Sequence, residues 1–229
     1  MTRQISKRYR IRFEQEHAAQ GFFDSVLCCS GPFSAYRRSA LMRVWPSYLR
    51  QTFLRVRCTA GDDLHLTNLM LADDHLVVYE PCALAFTHVP STISRYVRQQ
   101  LRWNRSFYRE LLWTVPALLG RRHPFLAFDV AARTLLPFLL AGALLLSAGE
   151  ALWAGRELFV YDLSLIGAMV FVHGLMVVLQ TRNTRFLVLY GLLYVTVLIP
   201  VRLRALLTLG DTRWITRESR ERPRTTVAS

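Results

Sequence analysis

A change of composition near Gly120 constrains the fold of this 229-residue chain more than any other feature. Polar and apolar residues are mixed before this point, whereas three apolar segments follow it, at about residues 125–153, 158–179 and 186–209. A bilayer-spanning helix needs about 20 mainly apolar residues, so the first two segments predict a membrane-spanning hairpin. The third segment contains Pro200, Arg202 and Arg204. We expect it to break near Pro200, either returning to the side it entered or forming a second short crossing; a plain third span is the alternative.

The charge balance agrees with a membrane protein. The chain is 52% hydrophobic with a mean hydropathy of +0.20. It nevertheless contains 29 Lys and Arg residues and only 16 Asp and Glu residues, which gives a net charge of +13. Basic residues beside membrane spans tend to stay on the cytoplasmic side. Nucleic-acid-binding domains are also basic but rarely carry long apolar runs. The predicted partners therefore include the lipid bilayer and no nucleic acid.

The residues before Gly120 predict an alternating α/β fragment. Two short apolar runs are read as strands and two polar–apolar stretches as helices, in the order strand Asp24–Cys29, helix Ser34–Met42, helix Asp62–Ala72 and strand Leu76–Tyr79. Four cysteines occur without the spacing of a metal site or of a disulfide framework, which favours reduced thiols.

A long amphipathic helix is predicted over Ser91–Val115. Its five arginines recur at steps of three and four and so share one stripe of the helix: Arg95, Arg98, Arg102, Arg105 and Arg109. Aromatic residues beside a basic stripe are typical of a helix lying at a membrane surface. A solvated face on a soluble helix is the alternative interpretation.

Three short patterns contain residues capable of chemistry. The sequence GDDLHLTN places Asp62 and Asp63 before a helix, where they could cap it, bind a metal or act as a base. The sequence QQLRW lies within the amphipathic helix, and WITR follows the third apolar segment. Each pattern alone has an ordinary structural explanation.

In this order and separation, together with CCSGP at Cys28–Pro32 and YRR at Tyr36–Arg38, the patterns resemble those of hyaluronan synthases and rhizobial chitin-oligosaccharide synthases. Both are processive family-two glycosyltransferases. The resemblance covers roughly residues 14–220. One departure is Leu64, where the family usually has arginine.

The resemblance implies an inverting transfer from a UDP-sugar to a growing β-linked, N-acetylglucosamine-containing polysaccharide of hyaluronan or chitin type, which the enzyme extrudes. Asp63 is then the catalytic base. The residues implied in substrate binding are Asp62, Gln99, Arg102, Trp103, Cys29, Trp214, Thr216 and Arg217.

The resemblance also implies the organisation of the chain. Its order is a truncated GT-A-type α/β domain at 1–90, an amphipathic interfacial region at 91–120, a C-terminal transmembrane helical bundle at 121–210 and a cytosolic tail at 211–229. The expected location is the plasma membrane, with several spans and the active site on the cytoplasmic side.

Mg²⁺ or Mn²⁺ is the implied cofactor, but the family's uridine-binding aspartate and DxD element lie upstream of the CCSGP loop. No DxD precedes Cys28 here, so the chain is expected to correspond to the C-terminal half of such an enzyme and to be inactive alone. The alternatives are an inactive remnant and a basic adaptor that binds the membrane surface.

Overall fold

A computed structural model describes residues 5–6, 9–10, 12–58, 60–113, 116, 118, 124–153, 160, 164 and 193–211. The chain divides into two compact units. The first is discontinuous in sequence and comprises Met1–Ala127 and Val201–Ser229, and the second is Phe128–Pro200. The candidate site residues that the structure describes belong to the first unit.

The described part of the chain is rich in helix and contains one small sheet. In chain order the elements are a π-helical turn at Arg12–His17, α1 Ala18–Phe22, α2 Arg38–Leu49, β1 Thr52–Phe53, β2 Val56–Arg57, α3 Asp62–Ala72, α4 Ile93–Trp113, α5 Pro124–Trp153, a π-helical turn at Tyr194–Leu198, and α6 Ile199–Leu207. β1 and β2 form an antiparallel hairpin in which Phe53 pairs with Val56.

The two predicted strands meet, but they are shorter than the sequence suggests. Ser25 forms a parallel bridge with Val77, supported by hydrogen bonds from Val26 N to Val77 O and from Val77 N to Asp24 O, both 3.1 Å. Strands are stabilised by pairing along several residues, and within the described residues each segment makes this one bridge. The α/β character of the sequence therefore appears here as a single parallel bridge, which joins the residues just before the CCSGP loop to those that follow α3.

Helices α3 and α4 provide much of the interior of the first unit. Tyr96 and Tyr108 of α4 are 2% and 1% exposed, and Met70 and Leu71 of α3 are buried as well. Helix α4 is buried along its middle, and its ends are more exposed, with Ile93 54% exposed. The helix is therefore anchored in the unit, and the site residues that it carries have fixed neighbours.

The predicted arginine stripe of α4 is not one exposed surface. Arg95 and Arg98 are exposed and Arg102 is half-buried, but Arg105 and Arg109 are 4% and 5% exposed. A buried guanidinium needs protein partners, and both side chains have them. Of the stripe, only Arg95 and Arg98 are exposed enough to face a membrane. Contact between α4 and a membrane stays a prediction.

One described helix is long and apolar enough to cross a membrane, over Pro124–Ser147 of α5. Several of its leucines are more than half exposed: Leu135, Leu136, Leu139, Leu145 and Leu146. Most of the second apolar segment and the beginning of the third lie outside the described residues, so the transmembrane bundle stays a prediction. Near Pro200 the backbone changes from a π-helical turn to α6. Pro200 is the second residue of α6 and follows the π-helical turn directly, so residues 193–207 are one helical run without a non-helical break at Pro200.

Candidate active site

The start of α3 is held closely against α4 by a glycine. Gly61 has φ +85°, in the left-handed region, and a Cβ atom at this position would collide with Cβ and Oγ of Ser106. Ser106 Oγ donates a hydrogen bond to Ala60 O at 3.2 Å. A residue with a side chain would be strained at position 61 and would also collide with α4. Glycine at this position thus fixes where α3 begins.

We expect Gly61→Ala to destabilise the protein by about 2–4 kcal/mol, because the backbone strain and the steric contact add. Thermal unfolding in detergent measures the effect. Gly142→Ala is a matched control, since among the described residues no atom outside the local helix backbone lies within 4 Å of its Cβ position on α5. In a Ser106→Gly background, where the colliding atoms are absent, the same Gly61→Ala change should cost less, because only the backbone strain remains. Equal stability of the Gly61→Ala and Gly142→Ala proteins would contradict this account.

Asp63 lies in the first turn of α3 with its carboxylate half-exposed. Its Oδ1 accepts a hydrogen bond from Leu64 N at 2.9 Å, and its Oδ2 accepts one from Gly31 N at 3.3 Å. The N-cap is Gly61, so the interpretation of Asp62 or Asp63 as the helix cap is wrong. Asp62 is exposed. Two carboxylates in the first turn interact favourably with the helix dipole, and Asp63 also contacts the CCSGP loop.

The CCSGP loop is attached to α3 at a second point. Cys29 N donates a hydrogen bond to Thr67 Oγ1 at 2.9 Å, and this hydroxyl donates to Asp63 O at 2.7 Å. Burial, with the Asp63 carboxylate as the next cause, raises the pKa of Cys28 to about 12, so its thiol stays protonated and can donate to Asp63. The loop and the first turn of α3 are therefore one structure around the Asp63 carboxylate.

The predicted substrate residue Cys29 is half-buried in a small polar cluster. Burial raises its pKa, partly offset by hydrogen bonds to Thr67 and Tyr36. Burial likewise raises the pKa of Tyr36 to about 12. Both groups are neutral at pH 7, which fits a structural or hydrogen-bonding role better than nucleophilic attack.

Gln99 and Trp103, on α4, contact the N-terminal segment of the chain. Tyr9 Oη donates a hydrogen bond to Gln99 Oε1 at 2.7 Å, and its ring lies 5.8 Å from the Trp103 ring at 36°. The Arg12 guanidinium lies over the Trp103 ring, 5.6 Å from its centroid. Sequence reasoning missed Tyr9 and Arg12, because a contact across 90 residues leaves no local periodic signal.

Arg102 is the electrostatic connection between α4 and the start of α3. Burial lowers the pKa of its half-buried guanidinium, and the neighbouring carboxylates of Asp63 and Asp62 oppose that shift. The three charged residues that the sequence analysis selected from two separate patterns therefore act on one another. This is the arrangement expected if the two patterns form one site.

Beneath this site, a buried carboxylate joins α3 to α4. Glu110 Oε1 lies 2.8 Å from His65 Nδ1, and Glu110 Oε2 accepts a hydrogen bond from Asn68 Nδ2 at 3.3 Å. Gln51 Nε2 also donates to Oε1, at 3.4 Å. The side chains of His65 and Glu110 are 0% and 5% exposed. Glu110 was not selected from the sequence, where it occurs among the charged residues of an amphipathic helix.

The described residues do not fit a bound divalent cation. Among them, no group of three or more His, Cys, Asp or Glu side chains is arranged to hold a metal ion. Asp62 and Asp63 are two adjacent carboxylates without a third such ligand. The implied Mg²⁺ or Mn²⁺ therefore has no ligand set among the described residues.

The WITR residues Trp214, Thr216 and Arg217 lie outside the described residues, which end at Asp211. Asp211 itself reaches α4: Arg105 Nη1 lies 2.9 Å from Asp211 Oδ2. Arg105 Nε donates to Thr208 Oγ1, also at 2.9 Å. The end of the last described helix is therefore held beside α4, which carries Gln99, Arg102 and Trp103.

The described groups have complementary chemical capacities. A half-exposed carboxylate such as Asp63 can accept a proton from a hydroxyl within hydrogen-bonding distance. The Arg102 guanidinium can donate paired hydrogen bonds to anionic oxygens. The indole of Trp103 is a flat apolar surface against which a ring can pack. A base, a cation and a stacking surface on two adjoining helices fit the transfer of an anion-activated group to a hydroxyl.

Comparison with known proteins gives a consistent result over nearly the whole chain. The chain matches no protein-family model. It is 37% identical over 223 residues to a protein of Azorhizobium caulinodans named N-acetylglucosaminyltransferase, covering 96% of this chain and 55% of that protein. Proteins of the same name from Rhizobium leguminosarum bv. viciae and Rhizobium meliloti are 37% and 35% identical, each over 96% of this chain. The chain spans about half the length of the curated relatives it matches.

Proposed function

Because this chain is homologous over nearly all of its length to proteins named N-acetylglucosaminyltransferase, we propose that it forms half of a glycosyltransferase for N-acetylglucosamine. The donor is a UDP-sugar, and the acceptor is a growing β-linked polysaccharide of chitin type. The enzyme is processive, and the polymer leaves through the membrane segments. The donor, the polymer and processivity follow from the sequence resemblance to hyaluronan and chitin-oligosaccharide synthases.

The observation that carries this proposal is the position of Asp63. Its carboxylate is half-exposed, accepts a hydrogen bond from Gly31 N in the CCSGP loop, and attracts Arg102 of α4. A general base must be accessible to its substrate and held in one orientation, and Asp63 meets both requirements. Gly31 of the CCSGP pattern and Arg102 of the QQLRW pattern thus both interact with the carboxylate of Asp63, which belongs to the GDDLHLTN pattern.

The proposed reaction is a single inverting displacement. The acceptor hydroxyl attacks the anomeric carbon of the donor sugar as its proton passes to Asp63. A bond forms between the acceptor oxygen and the anomeric carbon, and the bond from that carbon to the UDP oxygen breaks, releasing UDP. Asp63 increases the nucleophilicity of the hydroxyl at the moment of attack.

The other selected residues bind the two substrates. Trp103 and Gln99 contact the acceptor sugar by stacking and hydrogen bonding. Arg102, together with Arg217 of the WITR pattern, interacts with the pyrophosphate, because guanidinium groups bind phosphate oxygens through paired hydrogen bonds. Asp62 and Cys29 complete the substrate site, and Trp214 and Thr216 act beside Arg217.

We place the protein in the plasma membrane with this site on the cytoplasmic side, where UDP-sugars are found. The apolar span in α5 and the net charge of +13 support a membrane location. A basic adaptor without enzyme activity is less well supported, because the arginine stripe on which it depends is buried at Arg105 and Arg109.

A chimera tests the proposed activity. The upstream half of the Azorhizobium caulinodans relative is joined to this chain, and UDP release from UDP-N-acetylglucosamine is measured in detergent with manganese. We expect turnover by the chimera and none above background by the 229 residues alone. The intact relative is the control for the assay. Equal UDP release by the chain alone, or none by a folded chimera while the relative is active, would contradict the proposal.

A further inference from the structure

The turn of the β1–β2 hairpin has a strained backbone. Phe53 pairs with Val56, so Leu54 and Arg55 alone form the turn, and their φ angles are +49° and +66°. A two-residue turn with both residues at positive φ is of type I′, which strongly favours asparagine and glycine. Strained backbone occurs most often at functional sites, so the side chains at this turn need an explanation other than turn formation.

The side chains at and beside the turn are exposed. Leu54 is 74% exposed and Val56 is 48% exposed, and the arginines at positions 55 and 57 are exposed as well. An isolated exposed leucine is ordinary, but here it lies at a strained turn among cationic side chains. Apolar and cationic groups together form an amphipathic contact surface.

The charge around the hairpin is of one sign. Between Ser25 and Gly61 the sequence contains six arginines and no Asp or Glu. Among the described residues, Arg50, Arg55 and Arg57 form no ion pair, and all three are exposed. The antiparallel pairing and the short chain between them keep their Cα atoms within about 18 Å of one another. Like charges this close repel, and an anionic partner would relieve that repulsion.

An apolar stripe of α2 leads to the same place. Met42, Trp45 and Leu49 are 56%, 38% and 51% exposed, and their spacing of three and four residues puts them on one side of the helix. Leu49 directly precedes Arg50 in the chain. Tryptophan is enriched where a membrane meets water, because its ring is apolar and its N–H is polar.

The base of the hairpin is fixed to the buried part of α4. Gln51 Nε2 donates to Glu110 Oε1 at 3.4 Å, and Arg109 Nη1 donates to Cys58 Sγ at 3.8 Å. Cys58 N donates to Gln51 O at 3.2 Å and closes the base. The exposed turn is therefore carried by a rigid support.

The candidate span of α5 begins on the same unit. Pro124–Ala127 belong to the first unit, and the span itself starts at Pro124. Phe125 stacks on Phe23 with ring centroids 4.5 Å apart, and Leu126 is 1% exposed. The span thus starts without a linker, so a bilayer that holds it lies next to this unit.

We propose that the basic hairpin surface, formed by Leu49, Arg50, Leu54, Arg55 and Arg57, docks on anionic phospholipids of the bilayer that holds α5. The guanidinium groups bind lipid phosphate oxygens, and the leucines enter the boundary between headgroups and acyl chains. Each arginine near an anionic surface strengthens the contact. The docking is separate from the predicted contact of α4 and does not depend on the proposed sugar transfer.

Hydrogen exchange of the full chain in lipid nanodiscs tests the proposal. Exchange of the backbone N–H groups at residues 52–57 is measured by mass spectrometry in discs of phosphatidylcholine alone and in discs that also contain phosphatidylglycerol. We expect exchange about tenfold slower with the anionic lipid, and loss of this difference at high salt. Equal exchange in the two kinds of disc would overturn the proposal.

A charge variant and a matched control identify the arginines responsible. Replacing both Arg55 and Arg57 by Gln should return exchange to the rate found in phosphatidylcholine. Arg10→Gln makes the same change in a side chain that is 75% exposed and paired with Glu14, and it should leave the hairpin protected. Equal effects of the two changes would overturn a specific role for the hairpin arginines.

A second variant separates docking from folding of the hairpin. Changing Leu54→Asn together with Arg55→Gly supplies the residues that a type I′ turn prefers, so Tm should rise while most of the lipid-dependent protection is lost. Full protection in this stabilised variant would overturn the role of the turn. Protection that follows protein concentration in lipid-free detergent would instead show a second copy of the chain on this surface, and would also overturn the proposal.

Discussion

Replacement of Asp63 by Asn is expected to lower the rate of sugar transfer by about 10²–10⁴-fold, the usual contribution of a general base. The amide keeps the size of the side chain and can still accept a hydrogen bond from Gly31 N, but it cannot take the proton of the acceptor hydroxyl. The loss should therefore occur in kcat with little change in KM for the donor. The measurement is UDP release from UDP-N-acetylglucosamine by the chimera.

Asp74→Asn is the matched control for this substitution. Asp74 follows the C-terminal end of α3, and its φ of +60° is one that asparagine also adopts readily. The Asp74→Asn substitution should change the rate of sugar transfer by less than about twofold, because Asp74 lies at the opposite end of α3 from the site. An Asp63→Asn chimera with the rate of the Asp74→Asn chimera would refute the assignment of Asp63 as the base.

Removal of the Glu110 side chain is expected to cost about 3–5 kcal/mol of stability, as is usual when one partner of a buried polar cluster is deleted. The Glu110→Ala change leaves the buried groups of His65 and Asn68 without this acceptor, and water has little access to them. In thermal unfolding we expect a fall in Tm of about 10 °C.

Glu14→Ala is the comparison for Glu110→Ala. The Glu14 carboxylate forms an ion pair with Arg10, in which Arg10 Nε lies 2.6 Å from Glu14 Oε1, but the Glu14 side chain is 55% exposed. Exposed pairs contribute about 0–1 kcal/mol, so this substitution should hardly change Tm. If the two alanine variants unfold at the same temperature, Glu110 does not join α3 to α4 in the way described.

Helices with strong local signals were predictable from the sequence. The prediction of a helix over Asp62–Ala72 is confirmed, because the turn at Gly61, the acidic first turn and the apolar spacing all act within one segment. Helix α4 also falls inside its predicted range. Helix α2 was predicted to end at Met42, whereas it continues past Pro46 to Leu49. Pro46 removes one backbone N–H from the helix but does not end it.

The parts of the site that depend on distant partners were not predictable in the same way. Periodicity correctly places the arginines on one stripe of α4, but it cannot show that Arg105 meets Asp211 or that Arg109 lies beside Cys58. Nor does any local pattern indicate that Tyr9 donates to Gln99. The resemblance selected the motif residues, and the connections between the motifs came only from tertiary structure.

The discontinuity of the first unit has a consequence for its biosynthesis. The ribosome adds about 5–20 residues per second, so Asp211 follows Arg105 by roughly 5–20 s. During that interval the intervening apolar segments leave the ribosome, while the guanidinium of Arg105 has no carboxylate partner from the last part of the chain. The final pairing therefore comes only after the apolar segments have been made, so this unit cannot complete its folding until they have left the ribosome.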